Sequence, residues 1–278
     1  MDCYNRPPLR ELDGIPIFSQ QDAYVENYVK ISSDHVAAIT KESDNPWIEA
    51  DVWEEMESGT LQHVLDAIQG SSEKIRILDV GVGLGRLLDR IKSSGFGNLD
   101  LYGIDISLPY LQIAHSKGLN VAMAKIEDIP YVPEYFDVIT CTDVLEHVED
   151  LNLCISKILN CLKPGGKLIV RVPNREDLSS YLRPDYPYHL AHIRSFDEFS
   201  LELMFTRIFK LHFFDKSPGL LMQSPSLLKY QLPIYGYNLM IRIFLRGLRS
   251  ISSRVYRNAV KLLYYPTEIN VVLRKPVR

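Results

Sequence analysis

An α/β fold is predicted for this 278-residue sequence, built on a mostly parallel, seven-stranded sheet with helices on both faces. Three observations carry that expectation. From residue 74 onward, short runs rich in Val and Ile alternate with helix-length segments, which implies crossover connections and a parallel sheet. The helix-length segments close on glycine, as in "GRLLDRIKSSG" and "LPYLQIAHSKG". With 46% hydrophobic residues the chain can bury a large core.

The elements follow in order. Residues 1–45 lack clear periodicity and read as an irregular arm with a helical turn near 21–31. Residues 47–69 read as a helix, broken near Gly59. "KIRILDV" (74–80) is a short buried strand and 85–95 a helix. "LDLYGIDIS" (99–107) is the second strand. The helix at 108–118 has Pro109 in its first turn and Gly118 at its end. "LNVAMA" (119–124) and "YFDVITCTDV" (135–144) are the next strands. A helix at 148–166 ends in Pro-Gly-Gly and leads into "KLIVRVP" (167–173). Residues 196–208 form a further helix, with Ser195 as its N-cap and Glu198 completing a capping box. Strands at 209–217 and 267–275 close the sheet.

"ILDVGVGLGRLL" (77–88) sets three glycines at the mouth of the first strand, where ligands bind in open parallel sheets. Glycine there permits a tight turn and close backbone approach, and the next helix aims its free N–H groups at the same place. A phosphate-cradling loop needs Gly-Lys-Ser/Thr, which Arg86-Leu87 does not supply. A dinucleotide loop reads G-x-G-x-x-G, whereas this one reads G-x-G-x-G after an acid, Asp79. An acid suits a ligand with a positive group. Asp105, twenty residues beyond Gly85, ends the second strand, where a carboxylate can accept both hydroxyls of a ribose.

Together "LDVGVGLGR", "YGIDIS", "EDIPYVPEYFDVITCTDVLEHVED" and "LKPGGKLIVRVPN" resemble the successive motifs of class I S-adenosylmethionine-dependent methyltransferases, of small-molecule type and near the ubiquinone-pathway O-methyltransferase group. The resemblance covers about residues 74–174 and continues weakly to 215. It implies a Rossmann-like sheet and S-adenosylmethionine as cofactor, with S-adenosylhomocysteine as product. It implies that Asp79, Gly81, Gly83 and Gly85 cradle the cofactor, that Asp105 binds the ribose and that Ile106 packs on the adenine. Glu127 or Asp128 would wrap the adenine, with Thr142 and Asp143 beside the reacting methyl. Lys125 departs from the acid usual at its position and cannot accept a bond from the adenine amino group.

An oxygen nucleophile needs proton removal, most often by His. "CTDVLEHVEDL" offers Asp143, Glu146 and His147 and resembles the E-x-x-E-H stretch of the ubiquinone-pathway enzymes, where acids and His can gather a divalent metal. A His147 that merely packs on the following helix is the competing reading, and no metal ligand is assigned. "YLRPDYPYHLAHIRSFDEF" (181–199) follows the fifth strand and crowds Tyr181, Tyr186, Tyr188, His189 and His192 together. The catalytic candidates are therefore His192, His147 and His189, and the substrate contacts Tyr186, Tyr188 and His192.

The expected activity is methyl transfer to a small-molecule acceptor, at oxygen. The alternative is a non-catalytic S-adenosylmethionine-binding module in a complex or at a membrane. Net charge is −4, and an Asn/Asp-Pro-Pro-aromatic motif is missing at the fourth strand, so no nucleic-acid partner is expected. Charge is uneven: residues 216–266 hold eight Lys/Arg and no acid. In 238–265, Arg242, Arg246, Arg249, Arg257 and Lys261 share a helical face, with Ile241, Phe244, Leu245, Leu248, Val255, Ala259 and Leu262 facing roughly the other way. Such a segment packs on the domain or touches a membrane or lipid-like substrate. The cysteines form no CxxC pair and fit a reducing, cytoplasmic location, peripheral to membrane under the lipid reading. The expected organisation is an arm and helix over the cofactor site (1–70), a core (71–217), a basic amphipathic helical insertion (218–266) and a final core strand (267–278).

Overall fold

The computed structural model describes residues 3–40, 50–71, 73–218, 228–229 and 236–277. Nine strands form one sheet among them: β1 (Arg10–Leu12), β2 (Ile15–Ile17), β3 (Ile75–Val80), β4 (Leu99–Asp105), β5 (Asn120–Met123), β6 (Phe136–Thr142), β7 (Leu162–Pro173), β8 (His212–Pro218) and β9 (Glu268–Arg274). The helices are α1 (Ala23–Thr40), α2 (Ala50–Ile68), α3 (Arg86–Ser93), α4 (Leu108–Ser116), α5 (Leu151–Cys161), α6 (Glu198–Leu203), α7 (Tyr237–Ile251) and α8 (Ser253–Leu263).

The strand order is β1-β2-β5-β4-β3-β6-β7-β9-β8. Pairing is parallel from β2 through β7 and antiparallel for β7–β9 and β9–β8. The chain winds outward from β3 to β5, then returns to place β6 on the other side of β3. The carboxyl ends of β3 and β6 therefore flank the point where strand order reverses, and a crevice opens there.

Side-chain alternation along β3 builds two cores. Ile75 and Ile77 pack with Leu88 and Ile91 of α3 and Leu111 of α4. Leu78 and Val80 point to the opposite face, with Ile155 and Ile158 of α5. Each fully buried aliphatic side chain contributes about 1.5–3 kcal/mol relative to exposure, so both faces of the sheet need their helices.

The structure corrects several sequence-based expectations. The seven expected strands are joined by an N-terminal hairpin, β1–β2, attached to β5 through Ile17 opposite Met123. Asp13 and Gly14 turn the hairpin in the left-handed region, a pairing too short to show as periodicity. The helical turn near 21–31 is a full helix reaching Thr40. α2 runs unbroken through Gly59, where a Cβ would lie 3.2 Å from Asn270 Nδ2, so glycine serves close approach to β9; residues 47–49 of that predicted helix lie outside the described residues. The helix predicted at 148–166 starts later and ends at Cys161, because Asp150 caps it by accepting the Leu153 N–H. The cap of α6 is Asp197 with Ser200, not Ser195 with Glu198: each accepts the other's backbone N–H.

Between β8 and β9, Ser252 in an extended conformation separates α7 from α8 and caps the latter. The apolar side chains here divide between two faces. Leu245 is buried, and Ile241, Leu248 and Ala259 pack beside it. Phe244, Val255 and Leu262, from the expected apolar face, are exposed, as are Leu239, Met240, Ile243 and Ile251. The side chains of Arg242, Arg249, Arg257 and Lys261 and residues 219–227 and 230–235 lie outside the described set.

Gly85 precedes α3 with φ +74°, and a Cβ there would lie 2.5 Å from Leu119 and 3.1 Å from Ala114. Gly85→Ala combines backbone strain with overpacking. It is expected to lower unfolding free energy by about 1–3 kcal/mol, read from urea denaturation with an unchanged m-value.

Candidate active site

A cavity of about 1120 Å³ opens at the carboxyl ends of β3, β4, β6 and β7. The glycine loop forms part of its wall, and its three glycines meet three different constraints. Gly81 (φ +76°) would drive a Cβ to 2.2 Å from Val144, so it serves the approach of the β6 loop. Gly83 (φ +51°) has nothing nearer than 4.0 Å to a built Cβ, and it lines the cavity. Gly85 is the helix-packing residue already described and does not line the cavity. Its expected place in a cofactor cradle is corrected to support behind it.

Asp79, Asp105, Ile106, Glu127, Thr142 and Asp143 all line the cavity. Asp105 Oδ2 accepts the Gly83 N–H at 2.9 Å and Oδ1 the Ser107 N–H at 2.8 Å. Each oxygen therefore keeps a lone pair for a ligand hydroxyl. Burial pushes the Asp105 carboxyl upward against these bonds. Burial also pushes Asp79 up to about 7, although the Thr140 hydroxyl donates to it at 2.7 Å. Asp128 is a correction: its carboxylate accepts from Ser19 Oγ at 2.8 Å, which turns it to the N-terminal arm and away from the cavity. Lys125 Nζ pairs with Asp22.

The floor is held by a buried cation that the sequence reading missed. Arg171, on β7, pairs with Asp143 through Nε and Nη2 and lies 3.4 Å from Glu268 on β9. Its Nη1 donates to the Met56 carbonyl of α2 at 3.1 Å. An arginine inside the apolar run "LIVRV" was the available signal, since a buried charge needs partners. Burial pushes the nearby Glu268 up to about 8.

At the far end stand His147 and His192, with ring centroids 4.5 Å apart. His147 Nδ1 lies 3.1 Å from the Tyr28 hydroxyl and 3.3 Å from the Ala191 carbonyl. Burial, followed by its neighbour His192, lowers its pKa to about 4, so its ring is neutral at pH 7. His192 Nδ1 lies 2.5 Å from Glu176 Oε2, and Tyr181 OH donates to Glu176 Oε1 at 2.7 Å. Glu146 is wholly buried, and neither carboxyl oxygen has a hydrogen-bond partner among the described residues. Glu146, His147 and His192 each offer a ligand atom within 4.8 Å of the others, whereas Asp143 is engaged by Arg171.

The rest of the tyrosine–histidine loop is corrected. Tyr186 packs edge-on against Tyr181, Tyr188 lies under Lys30, and His189 is exposed with its backbone N–H bonded to Asn27. None of the three lines the cavity. Arg194 pins this loop by donating to the carbonyls of Leu145, Val148 and Glu149, which leaves His192 alone of the two loop histidines facing inward. The opposite wall comes from α1, whose Tyr24, Tyr28, Ile31 and His35 line the cavity. Their spacing of 4, 3 and 4 is one helical face, a signal present in the arm but overlooked. His35 Nδ1 lies 2.6 Å from the Tyr110 hydroxyl and ties α1 to α4.

Residues 52–208, more than half of the chain, match the family model of the methyltransferase domain. The chain belongs to the class I S-adenosylmethionine-dependent methyltransferases. It is 32% identical over 128 residues to an uncharacterized protein of Methanocaldococcus jannaschii, covering 46% of this chain and 59% of that one. It is likewise 32% identical over 130 residues to the ubiquinone biosynthesis O-methyltransferase of Aliivibrio fischeri, covering 44% and 53%. The match thus spans little more than half the length of these relatives. Similar solved folds include a complex of the Haloferax volcanii Trm112 methyltransferase activator with its methyltransferase partner (TM-score 0.61, 14% identity, covering 92% of this chain and 99% of that one). Another is Haemonchus contortus phosphoethanolamine N-methyltransferase 2 with S-adenosyl-L-methionine (TM-score 0.54, 18%, covering 92% and 60%).

The cavity of this methyltransferase fits its family's cofactor chemically. S-adenosylmethionine carries a ribose diol and a sulfonium, and the cavity offers half-satisfied Asp105 oxygens, an unobstructed Gly83 backbone and an acid-rich wall. Asp79 also gives a pH signature. Its folded value near 7 exceeds the ordinary 3.8, so its contribution to stability is full below about pH 4 and is lost as pH rises through about 7. Asp79→Asn is expected to flatten the decline of unfolding free energy over that window by up to about 1.4 kcal/mol per pH unit. Urea titrations of the ligand-free protein from pH 4 to 8 measure it.

Proposed function

We propose that this methyltransferase moves a methyl group to the oxygen of a small-molecule acceptor, with His192 as the general base. The observation that carries this reading is the two-ended cavity. Its volume of about 1120 Å³ exceeds the ~300–1,000 Å³ usual for a single small ligand, which leaves room for two. One end has the glycine loop and Asp105, and the other has tyrosines, histidines and Glu146.

In this reading Asp105 holds the ribose, Gly83 lets the backbone close on the cofactor with Gly81 beside it in the wall, and Ile106 and Glu127 flank the adenine. Asp79, Thr142 and Asp143 face the methionine end. S-adenosylmethionine supplies an electrophilic methyl on a sulfonium. The chain's own work is to position the acceptor and remove its proton. His147, whose pKa burial lowers to about 4, is too weak a base for that at neutral pH, whereas His192 lines the same cavity with its Nδ1 held by the Glu176 carboxylate. In this reading the N-terminal arm covers the cofactor, and α1 supplies the wall facing the strand ends.

The test is calorimetry followed by turnover. S-adenosylmethionine and S-adenosylhomocysteine are expected to bind, and Asp105→Ala to weaken both by at least tenfold. Tritiated methyl is expected to pass to phenol or catechol rather than to benzylamine. His192→Gln is expected to cut that rate by 10²–10⁴-fold while cofactor binding is kept. Label on benzylamine alone, or full activity in His192→Gln, refutes the oxygen-and-base reading. Binding without label on any acceptor favours the non-catalytic module.

The exposed stripe Leu239, Met240, Ile243, Phe244 and Ile251 on α7 supports a peripheral membrane contact through 238–265, a segment that carries six Lys/Arg and no acid. Cosedimentation with vesicles containing phosphatidylglycerol is expected at low salt. It should weaken with added salt and be lost when Ile243 and Phe244 are both changed to Ser. No sedimentation at low salt rules the contact out.

A further inference from the structure

We propose that Glu176 is a positioning residue that holds His192 in the one tautomer able to take a proton from the acceptor, with Tyr181 holding Glu176 in turn. This rests on the reading of His192 as base. Glu176 follows the end of β7, where the chain turns sharply: Arg175 has φ +54° and its N–H bonds to the Phe196 carbonyl at 2.7 Å. Asn174 anchors the same corner through the Pro266 carbonyl at 2.7 Å. The turn brings Glu176 to the cavity wall beside His192, sixteen residues later in sequence.

Both carboxylate oxygens are used, Oε2 by His192 Nδ1 and Oε1 by Tyr181 OH. Burial opposes ionisation of Glu176, but these bonds outweigh it and hold the carboxyl below its ordinary range. An ionised carboxylate only accepts hydrogen bonds. The hydrogen of a neutral His192 ring must then sit on Nδ1, which leaves the lone pair on Nε2. The ring cannot swing away, because His147 stands edge-on against one side and Tyr181 packs at 5.2 Å. The groups facing the ring are thus Glu176, Tyr181, His147 and Glu146, with Tyr28 behind His147.

The step balances without a further reagent. The acceptor O–H bond breaks, its electron pair stays on the attacking oxygen, and the proton passes to Nε2. Nδ1–H remains bonded to the carboxylate, which stabilises the imidazolium without itself taking the proton. Glu176 touches neither reactant in this scheme and acts through His192.

The experiment uses the full chain labelled with ¹⁵N-histidine. Two-bond ¹H–¹⁵N spectra of the ligand-free protein, at a pH where the rings are neutral, are expected to show His192 protonated on Nδ1. Glu176→Ala should move the proton to Nε2, and Glu176→Asp should keep it on Nδ1. In turnover with catechol, Glu176→Ala is expected to lower kcat about 10²-fold with KM changed less than threefold, and Glu176→Asp to recover most of it. If Glu176→Ala does not fold, Glu176→Gln keeps the volume, removes the charge and carries the rate measurement. A wild-type His192 protonated on Nε2, or one whose tautomer ignores Glu176→Ala, overturns the proposal. Loss of activity in His192→Gln with full kcat in both Glu176 variants also overturns it, yet leaves the base reading standing. Full activity in His192→Gln removes both.

Discussion

The cavity floor depends on one buried guanidinium. Arg171 meets Asp143 from the end of β6, Glu268 from the start of β9 and the backbone of α2 at Met56. Glu57 lies nearby and is also buried. Without the cation, these acids would repel one another at low dielectric, and removing one partner from such a set costs about 3–5 kcal/mol. The antiparallel strand β9 explains how the set arises. It lies beside β7, so Glu268 and Arg171 come together at the strand ends even though they are far apart in the chain.

That ion set leaves a graded wall above it. Around Asp79 and Asp105, burial disfavours charge while hydrogen-bond donors favour it, and a cation bound beside them would favour their charged forms further. A sulfonium ligand would therefore be held by groups whose ionisation its own charge promotes. At the other end burial keeps His147 neutral and raises the Glu146 carboxyl, whose oxygens have no hydrogen-bond partner among the described residues. The two ends thus differ in chemistry because their buried acids have different partners.

What the sequence made legible was local. The strands of the core and the acids at the ends of β3 and β4 lie in short apolar runs whose period and punctuation are visible within ten residues. The glycine loop was legible as a loop, but the separate duties of its glycines were not, because Val144 and Leu119 crowd it from other segments. The hairpin β1–β2 has too few residues for a periodic signal. The split apolar faces of α7 escaped for a related reason: an amphipathic count finds a face, yet cannot tell which apolar residues a short two-helix unit has room to cover.

The end of the cavity at His147 and His192 was the least legible part because no single segment builds it. His192 owes its inward position to Arg194, which is tied to the carbonyls of 145–149, and to Ile193, whose N–H bonds the Glu146 carbonyl at 2.9 Å. Asn27 on α1 holds the same loop by donating to the Leu190 carbonyl at 2.8 Å. These are polar bonds between loops and a helix, and they leave no periodic trace. Of the tyrosines and histidines crowded at 181–192, Tyr181 and His192 line the cavity. Tyr186, Tyr188 and His189 are turned away by the same bonds that turn His192 in. The carboxylate that His192 meets, Glu176, belongs to a different corner of the chain. A carboxylate becomes a partner for an imidazole only where backbone geometry has already paired their segments, and here the left-handed turn at Arg175 and its bond to Phe196 make that pairing.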